Sequence, residues 1–435
     1  MNCFILYKIE SKILSMKNSL NYLSRSLLVI FLLFSIVIIM PVNSYGLSSD
    51  NGVSKYVINR NVKYQVDINF TLTHIKNSPQ LYYFKVARLM DRQPNSTLTQ
   101  FTPPFQESKL LYNSITGFNE IIEGQLDKFN NTYDLFNASL SRDDKLTLSQ
   151  SYNITLNEIS FKNITTVDIG SYSPGDYIHN LYDISEKYFN STNPSLISLS
   201  NNIVNTAENP VEKARKIFNW IITNIDYEIQ DEEIGAFESY NQRIGDCSEY
   251  SDLFITLLRV QGIPARKISG FLITNNPFHQ LKIGNQYTFD HNFNGASQTV
   301  SSNNEILGHA WIEYYIPDIG WIASDPTWGN GYFNRIDVLR FALNNGAWFF
   351  LPGASPPNDY VSEFPLNPSP ITSDHSAYNY QYTIEITVLE SNIPAETQFP
   401  LMVVIFIAAG VGVPIIIILL VVKKGRNKKD SYYGY

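Results

Sequence analysis

Cysteine is almost absent from this chain of 435 residues, which contains only Cys3 and Cys247. Cys3 lies in an N-terminal segment with the character of an export signal, so the exported part keeps one thiol. A single thiol forms no intramolecular disulfide and cannot build a cysteine-rich metal site. Cys247 is therefore either a buried structural thiol or a nucleophile.

Metal-ligand patterns and excess positive charge are also lacking. The five histidines other than His309 show no metal-ligand spacing, and no acidic loop has the spacing of a calcium site. We therefore predict no metal and no cofactor. The chain carries 32 basic and 40 acidic residues, a net charge of −8, which disfavours a nucleic-acid partner.

The N-terminal segment, residues 1–46, has the layout of a secretory signal. An apolar run from Leu27 to Met40 follows Lys17 and Arg25, and this run is too short for a comfortable membrane span. Translation from Met16 would give a conventional short basic region, so we expect the true start at that residue.

The C-terminal region has the composition of a membrane anchor. Residues 401–422 are almost wholly apolar, and a basic stretch follows them. About 20 apolar residues suffice to cross a bilayer, and flanking basic residues mark the cytoplasmic side. We predict a transmembrane helix over 399–422 and a cytoplasmic tail over 423–435, with the bulk of the chain outside the cell membrane. The alternative is a buried core helix.

The first exported region, residues 47–194, is predicted to be a mainly β, sandwich-like domain. Period-two alternation over 63–72 and 151–167 indicates strands with one solvated face, and a helical insertion is possible over 119–126. All seven Asn-x-Ser/Thr sequons fall in this region, which suggests a glycosylated surface. The candidates are Asn69, Asn95, Asn130, Asn137, Asn153, Asn163 and Asn190.

The second exported region, residues 195–350, changes to helical periodicity. One helix is predicted from Pro210, behind the capping residue Asn209, and another from Asp246 or Cys247. Strands are predicted over 266–273, 310–316 and 321–324. The polar stretch 275–305 is either a functional loop or a tolerated insertion. Residues 351–398 are predicted to form a proline-rich linker that contains one strand, over 380–389.

Three polar residues in this region can support nucleophilic chemistry. Cys247 at a helix N-terminus is expected to have a lowered pKa. If the strands 310–316 and 321–324 pair as a hairpin, His309 and Asp325 meet at one end of the sheet. The sequence thus permits a Cys-His-Asp triad. Gln242 is a candidate oxyanion donor, and Trp311 and Trp328 are candidates for lining a substrate groove or for core packing.

Five motifs in this order resemble the transglutaminase-like superfamily in its archaeal and bacterial membrane-anchored form. They are Trp220 with 224–227, 245–250, 257–259 with 262–266, 308–313, and 320–321 with 325–327. The resemblance covers roughly 196–350 and implies an α+β, papain-like core. It also implies that Cys247 is the nucleophile, His309 the general base and acid, and Asp325 the orienting carboxylate. The zinc-bearing relatives carry extra cysteine pairs, which this chain lacks.

The expected function is thiol acyl transfer on a protein or peptide substrate at the cell surface. A cysteine peptidase or amidase is favoured because water competes strongly in an open site. A protein-glutamine cross-linking transglutaminase is the first alternative. A catalytically silent surface binding module is the second.

Overall fold

The structure is a computed structural model that describes residues 55–92, 103–230, 233–274, 276, 279–295, 298–302, 306–346, 370 and 374–392. The predicted signal, membrane span and cytoplasmic tail lie outside these ranges. Within them, no helix has the length and apolar character needed to cross a bilayer. The membrane topology therefore stays a prediction.

Sixteen strands and five α-helices are present in the described ranges. The strands are β1 (Tyr56–His74), β2 (Gln80–Ala87), β3 (Gln106–Thr116), β4 (Glu120–Leu126), β5 (Thr132–Leu140), β6 (Lys145–Phe161), β7 (Asp226–Tyr227), β8 (Ile244–Gly245), β9 (Ala265–Leu272), β10 (Gln286–Phe293), β11 (Gln298–Ser302), β12 (Leu307–Ile316), β13 (Gly320–Ser324), β14 (Arg335–Ile336), β15 (Arg340–Asn345) and β16 (Tyr378–Ser391). The helices are α1 (Tyr177–Tyr182), α2 (Pro194–Val204), α3 (Pro210–Asn224), α4 (Gly235–Gln242) and α5 (Cys247–Val260).

The longest strands form one antiparallel sheet in the order β11-β10-β16-β1-β6-β14, and β3 also pairs with β6. β1 lies at its centre, with Val66 opposite Ile386 of β16 on one side and Tyr152 of β6 on the other. Buried and partly exposed residues alternate along β1, as the period-two pattern predicted. The predicted strands over 63–72, 151–167 and 380–389 are thus present, the second of them ending at Phe161.

A smaller sheet, in the order β2-β5-β4, packs against the large one through aromatic side chains. The ring centroids of Phe70 and Phe84 are 6.0 Å apart, and those of Tyr82 and Tyr378 are 5.8 Å apart. The possible helical insertion over 119–126 is wrong, because this segment is the edge strand β4. It pairs with β5, and the register shift between Ile122 and Gln125 accommodates Gly124 at a φ of +63°.

The stretch 275–305 is not merely an irregular loop. It contains β10 and β11, which pair as a hairpin, and β10 pairs with β16 along eight residues from Gln286 to Phe293. The large sheet therefore draws strands from all three predicted segments, 47–194, 195–350 and 351–398. These segments share one hydrogen-bonded sheet.

A four-stranded antiparallel sheet, in the order β13-β12-β9-β15, supports helix α5. Leu253 and Phe254 of α5 share a buried cluster with Ile268 of β9 and Ile312 of β12. Every residue of β9 is buried, because the strand is covered on both faces. At Gly270 a Cβ atom would lie 1.8 Å from the carbonyl oxygen of Phe341, so only glycine allows β15 to pair here.

A buried ion cluster joins this sheet to Arg92, in the segment that follows β2. Glu313 of β12 accepts hydrogen bonds from Arg92, and its ion pair with Arg266 has an N–O distance of 2.6 Å. The Arg266 guanidinium also lies 3.8 Å from the ring centroid of Trp321. Burial alone would raise the pKa of Glu313, but the two guanidinium groups hold it below its usual value.

We predict that Glu313→Gln destabilises the protein by about 3–5 kcal/mol, because two buried guanidinium groups lose their counter-charge. The matched control is Glu390→Gln, since the side chain of Glu390 is 71% exposed in its pair with Lys63. Its expected cost is below about 1 kcal/mol. Urea unfolding of both variants measures the difference, and equal costs would contradict the prediction.

Candidate active site

The thiol of Cys247 stands at the first residue of α5. Asp246 caps the helix by accepting a 2.8 Å hydrogen bond from the N–H of Ser248, and Glu249 closes the capping box by accepting a 3.0 Å bond from the N–H of Asp246. Gly245 is required next to this cap, because a Cβ atom there would lie 2.4 Å from Cβ of Glu249. The helix start predicted at Asp246 or Cys247 is confirmed.

The environment of the sulfur reverses the predicted direction of its pKa. Cys247 is only 8% exposed. Burial, followed by the charge of Asp246, raises the pKa of the thiol above its usual range, although the N–H of Ala310 donates a hydrogen bond to the sulfur and opposes the shift. The expectation of a lowered pKa is wrong, since it considered only the helix N-terminus.

His309 and Asp325 meet as the hairpin prediction required. β12 and β13 pair with Ile316 opposite Gly320, and Nε2 of His309 lies 2.7 Å from Oδ2 of Asp325. Burial alone would raise the pKa of Asp325, but its interactions with His309 and Arg340 lower that pKa to about 2. An ionised carboxylate only accepts hydrogen bonds, so Nε2 carries the proton and Nδ1 is the basic nitrogen.

The same strand brings the residue next to His309 into contact with the thiol. Ala310, whose N–H bonds to the sulfur of Cys247, directly follows His309. The ring of His309 stacks on Trp311 with centroids 6.1 Å apart, which fixes the ring plane. The structure thus gathers Cys247, His309 and Asp325 around the first residues of β12.

Arg340 is part of this site and was missed by the sequence analysis. Its Nη2 and Nε atoms lie 2.6 and 2.9 Å from Oδ2 of Asp325, the oxygen that also faces His309. Its Nη1 atom lies 2.7 Å from Oδ1 of Asp337. The guanidinium is flanked by the rings of Trp328 and Tyr332, at 4.5 and 4.6 Å. No local motif marks this arginine, because the contact depends on the pairing of β15.

Asp325 is held from a second side by the chain that follows it. Its Oδ1 accepts a 3.1 Å hydrogen bond from the N–H of Thr327 and caps a short 3-10 helix, Pro326–Tyr332. The Asp-Pro-Thr motif thus serves as a turn and also orients the carboxylate.

The other predicted site residues are placed differently. Gln242 is exposed at the last residue of α4. Trp311 is fully buried and packs on Phe105 with centroids 6.3 Å apart, which favours core packing over a groove position. Trp328 is partly buried and contacts Arg340.

The described sequon asparagines all lie at partly or fully exposed positions, as glycosylation would require: Asn69, Asn130, Asn137, Asn153, Asn163 and Asn190. Asn95 lies outside the described residues. Glycan attachment stays a prediction. Within the described ranges, no group of three or more His, Cys, Asp or Glu residues is arranged to hold a metal ion.

Comparison with known proteins supports the assignment of this region. Residues 197–326 match the profile of a family described as the transglutaminase-like superfamily. The uncharacterised protein YebA of Bacillus subtilis is 30% identical over 112 residues, which are 26% of this chain and 13% of YebA. A protein-glutamine gamma-glutamyltransferase of Pseudomonas aeruginosa is 28% identical over 129 residues, which are 30% of this chain and 15% of that enzyme. The matches thus cover less than a sixth of either relative.

Two solved structures resemble the chain at low identity. A candidate cysteine protease of Cytophaga hutchinsonii is 16% identical with a TM-score of 0.43, over 77% of this chain and 93% of that one. Red sea bream transglutaminase is 11% identical with a TM-score of 0.24, over 60% of this chain and 48% of that one.

Residues 197–326 of this chain are therefore similar in sequence to the transglutaminase-like superfamily.

We predict that Asp246→Asn accelerates alkylation of Cys247 at neutral pH. The carboxylate of Asp246 raises the pKa of the thiol, and asparagine removes that charge while retaining an oxygen that can cap α5. The rate should be measured with iodoacetamide from pH 6 to 10. Asp226→Asn, which removes an exposed carboxylate, serves as the control, and an unchanged profile for Asp246→Asn would contradict the prediction.

We also predict that Arg340→Gln destabilises the protein more at pH 7 than at pH 4. Arg340 helps to lower the pKa of Asp325 to about 2 and holds that of Asp337 below its usual value. In the parent, this stabilisation is present above the unfolded pKa of about 4 and is lost as the pH falls towards 2. Without the guanidinium, both buried carboxylates favour protonation, so the variant loses about 3–5 kcal/mol at pH 7 and recovers part of it at pH 4.

Urea unfolding at the two pH values measures this effect. Arg335→Gln is the control, because the side chain of Arg335 is 32% exposed in its pair with Glu158. An Arg340→Gln cost that does not depend on pH would show that packing, not charge, is what Arg340 contributes.

Proposed function

We propose that this protein is a thiol acyl-transfer enzyme in which Cys247 is the nucleophile, His309 the general base and then acid, and Asp325 the orienting carboxylate. One observation carries the proposal. His309 of β12 makes a buried 2.7 Å contact with Asp325, and the N–H of the next residue, Ala310, donates a hydrogen bond to the sulfur of Cys247. A catalytic triad requires a nucleophile, a base and a third group that orients the base, and these three residues supply them.

The chemistry follows from the protonation states. The raised pKa of Cys247 keeps the resting thiol neutral, so its proton passes to Nδ1 of His309 as the sulfur attacks the carbonyl carbon. Asp325 stays ionised and stabilises the imidazolium ion. When the tetrahedral intermediate collapses, the C–N bond breaks and the departing amine takes the proton from His309. A thioester on Cys247 remains.

The acceptor of the acyl group distinguishes the two enzyme functions. Attack by water releases an acid and makes the protein a cysteine peptidase or amidase, which is the function we propose. Attack by a lysine amine would make it a cross-linking transglutaminase, an alternative supported by the similarity to the Pseudomonas aeruginosa protein-glutamine gamma-glutamyltransferase. In either case we propose a protein or peptide substrate, met on the extracytoplasmic side by a chain with a single membrane anchor.

The silent binding module is supported by a different observation. Cys247 is 8% exposed and burial raises the pKa of its thiol, which are properties of an inert structural cysteine. The buried polar contacts of His309 and Asp325 favour the enzyme, because a scaffold has no need for an imidazole held in one tautomer.

We predict that Cys247→Ser and His309→Ala each lower the rate of acyl transfer by roughly 10³-fold or more. The complete protein should be incubated with glutamine-containing and unmodified peptides, with and without a labelled amine. Release of free acid supports the peptidase, whereas incorporation of the amine supports the cross-linker. His179→Ala, on helix α1, is the control. If the parent cleaves and transfers nothing, the binding module is the correct alternative.

A further inference from the structure

The capped start of α5 leaves little room for an oxyanion site made of backbone groups alone. Asp246 accepts the N–H groups of Ser248 and Glu249 through its side chain, and that of Tyr250 through its carbonyl oxygen. Among the residues that the structure describes, none accepts the N–H of Cys247. A tetrahedral intermediate on Cys247 would thus find one open amide in this turn, and a second donor must come from elsewhere.

Tyr227 is fixed beside the same turn by backbone pairing. The short parallel pair of β7 and β8 sets Tyr227 opposite Gly245, two residues before the thiol. The N–H of Glu228 donates a 3.0 Å hydrogen bond to the carbonyl oxygen of Gly245. Strand β7 therefore moves with the segment that delivers Cys247.

The ring of Tyr227 packs against a neighbouring ring, whereas its hydroxyl group has no protein partner among the described residues. Its ring centroid lies 6.2 Å from that of Tyr250, which is 6% exposed and donates its own hydroxyl hydrogen to the carbonyl oxygen of Ile225. Tyr227, in contrast, is 55% exposed. No hydrogen bond to its hydroxyl group is present within the described part of the chain, so the donor is available to a ligand.

The electrostatic neighbours of this phenol belong to the candidate site. Burial, then the electrostatic influence of Cys247, Asp246 and Asp325, raises the pKa of Tyr227 to about 12. The hydroxyl group therefore carries its proton at every pH at which the site would operate, and it can donate that hydrogen to a developing negative charge.

We propose that Tyr227 is a further catalytic residue, whose hydroxyl group donates a hydrogen bond to the oxyanion formed on a substrate carbonyl when Cys247 attacks it. The other donor to the oxyanion is the open N–H of Cys247. The new C–S bond places the carbonyl electron pair on oxygen, the two donors stabilise that charge, and the pair returns as the C–N bond breaks. This role rests on the proposed acyl transfer, and it gives Tyr227 the task that the sequence analysis assigned to Gln242.

The test is Tyr227→Phe in the complete chain, because phenylalanine keeps the ring against Tyr250 and removes only the hydroxyl group. Two rates should be compared at neutral pH: hydrolysis of 4-nitrophenyl acetate, which passes through an oxyanion, and alkylation of Cys247 by iodoacetamide, which does not. We expect hydrolysis to fall by roughly 10²-fold or more and alkylation to change by less than about twofold. Tyr112→Phe, with a side chain exposed to 56%, should alter neither rate.

Each other outcome overturns a defined statement. If Tyr227→Phe hydrolyses the ester at the rate of the parent, the oxyanion role is overturned and the proposed function is left intact. An equal loss of both rates shows that Tyr227 acts on the thiol itself, which also overturns the role. A parent protein that is alkylated at Cys247 but hydrolyses neither the ester nor a peptide overturns the acyl-transfer function, and the role of Tyr227 with it.

Discussion

The site depends on one buried oxygen atom, Oδ2 of Asp325. It faces Nε2 of His309 and two nitrogen atoms of Arg340. A carboxylate that is fully buried would ordinarily favour protonation, and it would then no longer fix the tautomer of the imidazole. The guanidinium of Arg340 keeps the charge on Asp325, so the basicity of Nδ1 in His309 follows from a residue that lies on a different strand.

The large sheet supports the residues of the candidate site. β9 and β12 carry the neighbours of the thiol, and the four-stranded sheet to which they belong packs on the large sheet: the rings of Tyr64 and Phe341 are 5.1 Å apart. Arg340, the first residue of β15, enters the site next to this contact. The position of a charge that orients the site is thus set by aromatic packing between two sheets.

Features encoded within a few residues could be predicted from the sequence, whereas features that depend on distant pairing could not. The helix that starts at Cys247 and the hairpin that joins His309 to Asp325 are local, and both are present. Arg340 reaches Asp325 only because β15 pairs with β9, and no sequence motif predicts that contact. The pKa of Cys247 was mispredicted for the same reason, since the helix N-terminus is visible in the sequence but burial is not. Segment 119–126 became a strand because β5 supplies its hydrogen-bonding partners.

The position of β16 has a consequence for how the protein is made. β1 forms near the start of the chain, yet one of its two neighbours is β16, with Val66 opposite Ile386. A ribosome delivers the first strand long before the last, so this edge of β1 stays unpaired while nearly all of the intervening chain is synthesised. Pairing across such a distance is slow, and an unpaired hydrophobic edge invites association with other chains. The edge of β1 is therefore open to such association until β16 has been synthesised.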